Sequence, residues 1–288
     1  MNIITKSKYI QNLYYPIVKN YKGLEFHTRT SDFNEDDLKS LNIKYKNCND
    51  VKDIIKDYNK NIEIPIHYLL PGVNRSNISN IQVESNISKS LLKYIKRSSE
   101  NESLKINTRE TITDSMVNFL FTQLEFNIYP FEFRIQPDYK FSVGDINISS
   151  YPEFSIEKDT SENESIVLMF DEDKHFNNIG VAKQWGEYQI AGEFIACAYN
   201  NYNHTGKDQT LYAMRVISTK FTFYKAHFTN LYLKTLTDGQ PNDDIKILKY
   251  PSNESSLKYL GLDIANEKER IEIFKILLNL RNILKETK

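Results

Sequence analysis

An acidic and a basic side chain follow one apolar segment near the middle of the chain. Residues 166–170 are apolar, and Asp171, Glu172, Asp173 and Lys174 come directly after them. An apolar run of this length predicts a strand that is buried on both faces. Because side chains alternate along a strand, we expect Glu172 and Lys174 on one face and Asp171 and Asp173 on the other. The pattern predicts a carboxylate beside an ammonium group at the mouth of a buried strand.

A second carboxylate, Glu153, follows Pro152 on the strand-like segment before this one. If the two segments pair as a hairpin, Glu153 approaches Glu172, and two close carboxylates are most easily kept ionised by a divalent cation. Mg²⁺ or Mn²⁺ held there would supply hydroxide and neutralise a phosphodiester transition state, while Lys174 orients the water. Asp138, in the strand-like segment before that of Glu153, is an alternative to Glu153.

The elements that position these residues alternate between helix and strand. Apolar spacing and turn residues predict an α, β, β, β, α, β order from Arg109 onward, followed by a C-terminal helix. The predicted segments are a helix at Arg109–Leu124 capped by Thr108, strands at Phe131–Val143, Ile146–Ile156 and Ile166–Lys174, a helix at Val181–Tyr199, β-structure at Leu211–Tyr224 and a helix at Asn266–Leu284.

The first 105 residues are predicted to form a helical region. Asp50–Tyr58 and Glu84–Lys96 have the spacing of short amphipathic helices. The polar run Ser98–Ser103 is typical of a linker. We therefore expect a helical N-terminal region at 1–105 and a catalytic core with its C-terminal helix at 106–288.

The motif and the order of elements resemble a known superfamily. Pro152-Glu153, then an apolar strand ending in Glu172-Asp173-Lys174, resembles the PD-(D/E)xK nucleases. The sequence from Glu172 through the helix at 186–193 is also similar to nuclease-like domains of fungal and large-virus proteins. This resemblance implies an α/β fold of the restriction-endonuclease type, with an αβββαβ core, a mixed central sheet and flanking helices.

The resemblance also implies roles for individual residues. Glu153 and Glu172 would be ligands of Mg²⁺ or Mn²⁺, with the Asp173 carbonyl as a third, and Lys174 would be the catalytic lysine. Glu110 matches an acidic residue on the helix before the strands, and Gln189 matches a polar position near the metal on the helix after them. Trp185, Gln189 and Glu193 are spaced four apart, so we expect them on one helix face that lines the site.

Composition limits the classes of partner. The chain has 288 residues, a formal charge of −1 and a pI near 6.5, which excludes a polybasic nucleic-acid coat. Cys48 and Cys197 form no CxxC motif, and no apolar stretch is long enough to span a membrane. We expect an intracellular protein, cytoplasmic or nuclear, that does not bind membranes and whose partner is nucleic acid, with DNA favoured over RNA by the resemblance.

Several patterns have a second interpretation that the sequence leaves open. The fold could be a catalytically silent module that binds nucleic acid or a protein; near-neutral charge and Glu153, where the family most often has Asp, favour this. Glu110 could merely complement its helix dipole. The basic and aromatic tract Lys220–Phe228 could stack on bases, although half-buried packing is the commoner role. A basic cluster around Lys93 and Lys96 could contact phosphates or remain solvated.

Overall fold

A mixed β-sheet with helices on both faces organises the chain in a computed structural model. The structure describes residues 17–104, 109–159, 165–174, 185–252 and 261–287. At positions 165, 166, 173 and 174 the description covers the backbone alone. All statements below refer to these residues.

The described elements alternate along the chain. The strands are β1 (Ile17–Lys19), β2 (Glu25–His27), β3 (Ile43–Asn47), β4 (Phe131–Ile135), β5 (Tyr139–Val143), β6 (Ile146–Ser150), β7 (Phe154–Asp159), β8 (Ser165–Lys174), β9 (Gln209–Ile217), β10 (Lys220–Phe228), β11 (Ile245–Tyr250) and β12 (Leu262–Asp263). The helices are α1 (Glu35–Ser40), α2 (Ile66–Leu69), α3 (Asn86–Ser103), α4 (Thr111–Gln123), α5 (Glu187–Thr205), α6 (Asn230–Thr237) and α7 (Glu267–Glu286).

The central sheet has eight strands. Its order is β3-β11-β10-β9-β8-β7-β4, with β12 paired to β10. Antiparallel pairing joins β4 to β7, β7 to β8, β9 to β10 and β10 to β11. β8 and β9 are parallel, as are β11 and β3. A parallel pair needs a crossover connection, and α5 lies between β8 and β9 in the chain. β5 and β6 form a hairpin outside this sheet.

Each face of the sheet buries its own hydrophobic core. On the face we call the α4 face, side chains of α3, α4 and α7 pack with sheet residues that include Met169 and Met214. On the opposite face, the α5 face, side chains of α5 and α6 pack with Phe170 and Ala213. Because β10 is covered on both sides, Phe221, Phe223, Tyr224 and Phe228 are buried. Packing is therefore the role of this aromatic tract, and the base-stacking interpretation is wrong.

Gly192 lets α5 approach the N-terminal part of the chain. A Cβ atom at this position would lie 2.6 Å from Thr30 Cγ2 and 2.9 Å from Phe33 Cε2. Those distances are far below van der Waals contact, so a larger residue would push the helix away. Thr30 starts a short 3₁₀ turn, Thr30–Asp32, that packs on α5. The first part of the chain therefore helps to fix the helix that carries Gln189.

The prediction of a helical N-terminal region is wrong in two respects. Residues 17–104 contain three strands, and β3 is an edge strand of the central sheet. The helix predicted at Asp50–Tyr58 is only the 3₁₀ turn Val51–Asp53. Tertiary packing overrides local helical spacing here, because Ile54 and Ile55 turn into the α4-face core.

The polar run Ser98–Ser103 is the last part of α3 and not a linker. Polar groups of this run form hydrogen bonds with neighbouring elements. The Ser98 carbonyl accepts a hydrogen bond from Ser218 Oγ at 2.9 Å, and Asn101 Nδ2 donates to the Arg109 carbonyl at 3.0 Å. These hydrogen bonds join α3 to the start of α4 and to the turn after β9. The proposed division between residues 105 and 106 stays a prediction.

The long predicted strands are divided, but their pairing is confirmed. Phe131–Val143 contains β4 and β5, and Ile146–Ile156 contains β6 and the first half of β7, because β5 and β6 leave the sheet as a hairpin. Leu211–Tyr224 is likewise two strands, β9 and β10. The predicted hairpin between the second and third runs is present as the antiparallel pair β7 and β8.

The main predicted helices are confirmed with shifted ends. α3 covers most of Glu84–Lys96, and α4 lies within Arg109–Leu124. α5 covers the later part of Val181–Tyr199 and continues to Thr205. Thr108 and residues 181–184 lie outside the described residues. α7 matches the predicted final helix, with Asn266 at its N-cap. Among the described helices, none combines the length and apolar character required to cross a bilayer.

A buried arginine of α7 fastens the segment that precedes α3. The Arg270 guanidinium donates to the carbonyls of Leu69, Leu70, Val73 and Ile264 at 2.9–3.0 Å. Burial lowers the pKa of Arg270 to about 10, so the group remains charged at neutral pH. These bonds stabilise an otherwise irregular stretch, in which Leu70 has a left-handed backbone conformation (φ 46°).

We predict that Arg270→Met lowers the free energy of unfolding by about 3 kcal/mol, because several buried carbonyls lose a charged donor. Urea denaturation measures this loss. Lys268→Met, at an exposed position of the same helix, is the matched control and should change stability by less than about 0.5 kcal/mol. Equal stability of the two variants would contradict the assigned role of Arg270.

Candidate functional site

The end of β8 presents carboxylates to both faces of the sheet. Asp171 pairs with Phe154 and Met214, which belong to the α4-face core, and it is fully buried. Glu172 is 1% exposed and lies in register with Arg215 of β9. The predicted alternation is therefore confirmed for these two residues. Glu172 faces α5, and its environment determines what the site can do.

Gln189 joins two carboxylates on the α5 face. Its side-chain nitrogen donates to Glu172 Oε1 at 2.6 Å and to Glu193 Oε1 at 2.8 Å. Gln189 and Glu193 are one helical turn apart, so both reach the same region of the sheet. The predicted shared face is confirmed for these two residues, and Glu193 is fully buried. The helix thus brings an amide and a second carboxylate to Glu172.

Glu153 directly precedes β7, whose first residue pairs with the end of β8. Phe154, the first residue of β7, pairs with Asp171, the residue before Glu172, so this register continued by one residue would bring the Glu153 backbone opposite that of Glu172. Gln136 holds this position: its backbone N–H donates to the Glu153 carbonyl at 2.8 Å, and its side chain donates to Glu153 Oε2 at 3.1 Å. Glu153 is half-buried and therefore open to solvent on one side.

The alternative acid, Asp138, has a different environment. It lies in the connection between β4 and β5, is exposed, and forms an ion pair with Lys140 at 3.2 Å. Its contacts do not connect it with Gln136, Glu153 or Glu172. Of the two candidates, the structure brings Glu153 next to the end of β8.

Lys174 and Asp173 continue β8 as backbone. Asp173 pairs with Val216 and Lys174 with Ile217. Their side chains lie outside the described part of the structure, so their predicted catalytic and ligand roles stay predictions. Among the described residues, no three His, Cys, Asp or Glu side chains form a group that could hold a metal ion. The Glu172 carboxylate nevertheless fits the donor chemistry of Mg²⁺, which usually keeps several waters and uses one or two carboxylates.

Glu110 lies at the N-cap of α4, on the opposite face of the sheet from Gln189. Hydrogen bonds of α3 place the start of α4 near this end of the sheet. Asn101 donates to the Arg109 carbonyl, and Ser98 accepts from Ser218, which follows β9. Glu110 is therefore at the same end of the sheet as Lys174, but across the sheet from the Glu172–Gln189 pair. Its predicted role stays a prediction.

Sequence reasoning missed a buried charge network beside Glu172. Arg215 of β9 is fully buried, and its guanidinium is 3.5 Å from Glu187 Oε1 at the start of α5. Lys249 of β11 donates to the same carboxylate oxygen. Arg215 also stacks on the Tyr224 ring at 5.5 Å, a cation–π contact. We call Glu187, Arg215 and Lys249 the buried charge network.

This network fixes the N-terminus of α5. Trp185 and Gly186 both have left-handed backbone conformations, with φ of 55° and 83°. Glycine tolerates this geometry, but a tryptophan needs support from its surroundings. Arg215 donates to the Trp185 carbonyl, and Tyr45 of β3 donates to the Glu187 carbonyl at 2.5 Å. Bonds from two separate strands thus hold the first turn of the helix, and Gln189 lies within that turn.

Burial changes the proton affinities in this region. Desolvation lowers the pKa of Lys249, although the Glu187 carboxylate opposes the shift. Desolvation also raises the pKa of Tyr45 well above its usual value. Both shifts follow from enclosure under α5, because a low-dielectric environment disfavours the protonated amine and the phenolate. Tyr45 therefore acts as a neutral donor.

Comparison with known proteins gives no assignment, because no family model and no curated protein matches the chain. The chemistry must be inferred from the site itself. Glu172 accepts a hydrogen bond from the Gln189 amide and lies in register with the buried Arg215, and a carboxylate is a donor that a divalent cation can use.

We predict that Glu187→Gln lowers the free energy of unfolding by about 3 kcal/mol, because Arg215 and Lys249 lose their shared carboxylate in a buried place. Lys249→Met should cost less, since Glu187 keeps Arg215. In the double variant Glu187→Gln/Lys249→Met, part of the loss should be recovered because one buried cation is removed. Urea denaturation of the four proteins gives the coupling energy. Strictly additive effects would contradict the network.

Proposed function

We propose that the protein is a metal-dependent nuclease that hydrolyses phosphodiester bonds of nucleic acid, with DNA as the substrate. In this proposal the core is of the restriction-endonuclease type. Its central elements are α4, β4, β7, β8, α5 and β9. Glu153 and Glu172 are the acidic residues, and Lys174 is the catalytic lysine.

The strand topology supports this proposal. β4, β7 and β8 are consecutive antiparallel neighbours, α5 follows, and β9 lies parallel to β8. With α4 in front, the elements follow the order α, β, β, β, α, β, apart from the inserted β5–β6 hairpin. This is the order that the resemblance to PD-(D/E)xK nucleases implies.

The observation that carries the proposal is the hydrogen bond from Gln189 Nε2 to Glu172 Oε1, at 2.6 Å. The resemblance assigns the two residues to one site from sequence motifs alone, and they come from different elements. A random solvated helix face would not bring an amide to a carboxylate that is 1% exposed. The contact is what an amide that orients a ligand carboxylate would make.

The chain's own residues have distinct tasks in this proposal. Glu153 and Glu172 would hold the divalent cation, which when bound supplies an activated water and charge neutralisation. Gln189 keeps the Glu172 carboxylate in a fixed orientation, and Glu193 holds the amide in turn. Lys174 orients the attacking water. Gln136 restrains Glu153 from the side of β4.

A catalytically silent module that binds nucleic acid or a protein is the second candidate. It is favoured by Arg215, which lies in register with Glu172 and is fully buried. A guanidinium next to the carboxylate can neutralise the site without a metal ion. A rise in melting temperature on addition of Mn²⁺ supports the enzyme, because a ligand that binds the folded state stabilises it. Nucleic-acid binding with neither this rise nor cleavage supports the silent module.

We predict that Glu172→Gln, and separately Lys174→Gln, reduce Mn²⁺-dependent cleavage of DNA on the order of a thousandfold, because each removes several kcal/mol of transition-state stabilisation. Gel assays with single- and double-stranded DNA and RNA, with and without Mn²⁺, measure cleavage. Glu132→Gln, at an exposed site on β4, is the control and should cleave as the wild type does. Undiminished cleavage by Glu172→Gln would remove the mechanism.

We predict that Gln189→Ala reduces cleavage about 10- to 100-fold and raises the Mn²⁺ concentration required for half-maximal rate, because the Glu172 carboxylate loses its orienting donor. Gln240→Ala, at an exposed position, is the control. The Mn²⁺ dependence separates this role from general destabilisation. A variant with reduced rate and an unchanged Mn²⁺ requirement would show that Gln189 does not orient a ligand.

A further inference from the structure

One face of α3 carries a row of lysines. Lys89, Lys93 and Lys96 are spaced four and three residues apart, so they follow one side of the helix. Lys89 and Lys93 are exposed and Lys96 is half-exposed. Lys96 lies 3.9 Å from Glu100, which is a long ion pair of little strength. In a chain with a net charge of −1, this is a local concentration of positive charge.

The lysine row forms one wall of an open groove of about 750 Å³. The other wall is the irregular segment 78–84, which contributes the apolar side chains of Ile78, Ile81 and Val83, and Leu92 of α3 adds to the apolar lining. Glu84 is the one carboxylate among the residues that line the groove. The groove therefore combines an apolar surface with three cations in a row.

The groove lies on the α4 face, and its α3 wall leads to the end of the sheet that carries the candidate site, where a bound strand would pass round the end of β8 to reach Glu172 on the α5 face. Ser98, two residues after Lys96, accepts a hydrogen bond from Ser218, which follows β9. Lys174 of β8 pairs with Ile217, the residue before Ser218. At a rise of 1.5 Å per residue, the lysine row spans about 10 Å of α3. The row ends close to the end of the sheet where β8 and β9 terminate.

We propose that this groove binds single-stranded nucleic acid and directs it to the end of β8, an inference that rests on the proposed nuclease function. The lysines contact successive phosphates, and the apolar wall accommodates unpaired bases. A duplex keeps its bases stacked inside and has no use for the apolar wall. Single strands, or unpaired ends of duplexes, are thus the substrate class of the nuclease.

Binding is tested with the full chain and a fluorescent oligothymidylate of about 20 nucleotides in EDTA, by anisotropy over a range of salt concentrations. The triple variant Lys89→Gln/Lys93→Gln/Lys96→Gln should raise Kd about tenfold and reduce the slope of log K against log salt by about 2, at roughly 0.7 per lost phosphate contact. The control Lys207→Gln/Lys234→Gln/Lys246→Gln removes the same charge at exposed positions and should leave Kd within about twofold.

The apolar wall has its own variant. Val83→Thr preserves side-chain shape but adds a hydroxyl, and we expect Kd to rise about threefold with the salt slope unchanged. Equal binding by the wild type and the lysine triple variant overturns the groove. Tighter binding of a duplex than of the single strand overturns the strand preference. Displacement of the oligonucleotide by polyglutamate at equal charge concentration shows an acidic-peptide site and also overturns the proposal.

Cleavage of the same oligonucleotide with Mn²⁺ separates this inference from the proposed function. If the wild type binds the strand through the groove but does not cleave it, the nuclease proposal fails and the groove stands. If the lysine triple variant cleaves with unchanged kcat/KM, the groove fails and the nuclease stands. Circular dichroism and the melting temperature confirm that the surface variants are folded.

Discussion

Charges enclosed between the sheet and α5 are the constraint on which the site depends. A buried ion is costly unless it is paired, so Glu187 has to remain between Arg215 and Lys249. Since these two cations come from β9 and β11, the first turn of α5 is tied to two strands at once, and Tyr45 adds a third, β3. The position of Gln189 over Glu172 follows from this arrangement. Electrostatic pairing at the start of α5 therefore helps to fix the contact between Gln189 and Glu172, in addition to hydrophobic packing.

The elements around the site could be predicted where their patterns are local. The apolar run of β8 and its charged end, the hairpin of β7 with β8, and the long helices α3 and α7 all follow from the order of apolar and polar residues. The contact of Gln189 with Glu193 follows from helical spacing. Because these strands, helices and helical contacts are determined by residues close together in the chain, they can be predicted without knowledge of distant partners.

Other features depend on residues that are distant in the chain. Arg215 lies within an apolar strand, and its burial is decided by Trp185 and Glu187, about 30 residues earlier. Lys249 has an unremarkable neighbourhood and meets Glu187 from 62 positions away. The predicted strand Phe131–Val143 is divided near Gln136, which has a left-handed backbone conformation (φ 48°). No turn motif in the sequence predicts this conformation. Ser98–Ser103 resembled a linker because it is polar, but its Asn101 and Glu102 side chains bind partners elsewhere in the fold.

The location of β3 has a consequence for how the chain is made. This strand lies at one edge of the central sheet, and among the described strands its one neighbour is β11, about 200 positions later in the chain. Pairing at such a separation closes a very long loop and is intrinsically slow. On the ribosome β3 is synthesised about 200 residues before β11 and cannot form this pairing in the meantime. During that interval its unpaired backbone edge is open to pairing with other chains.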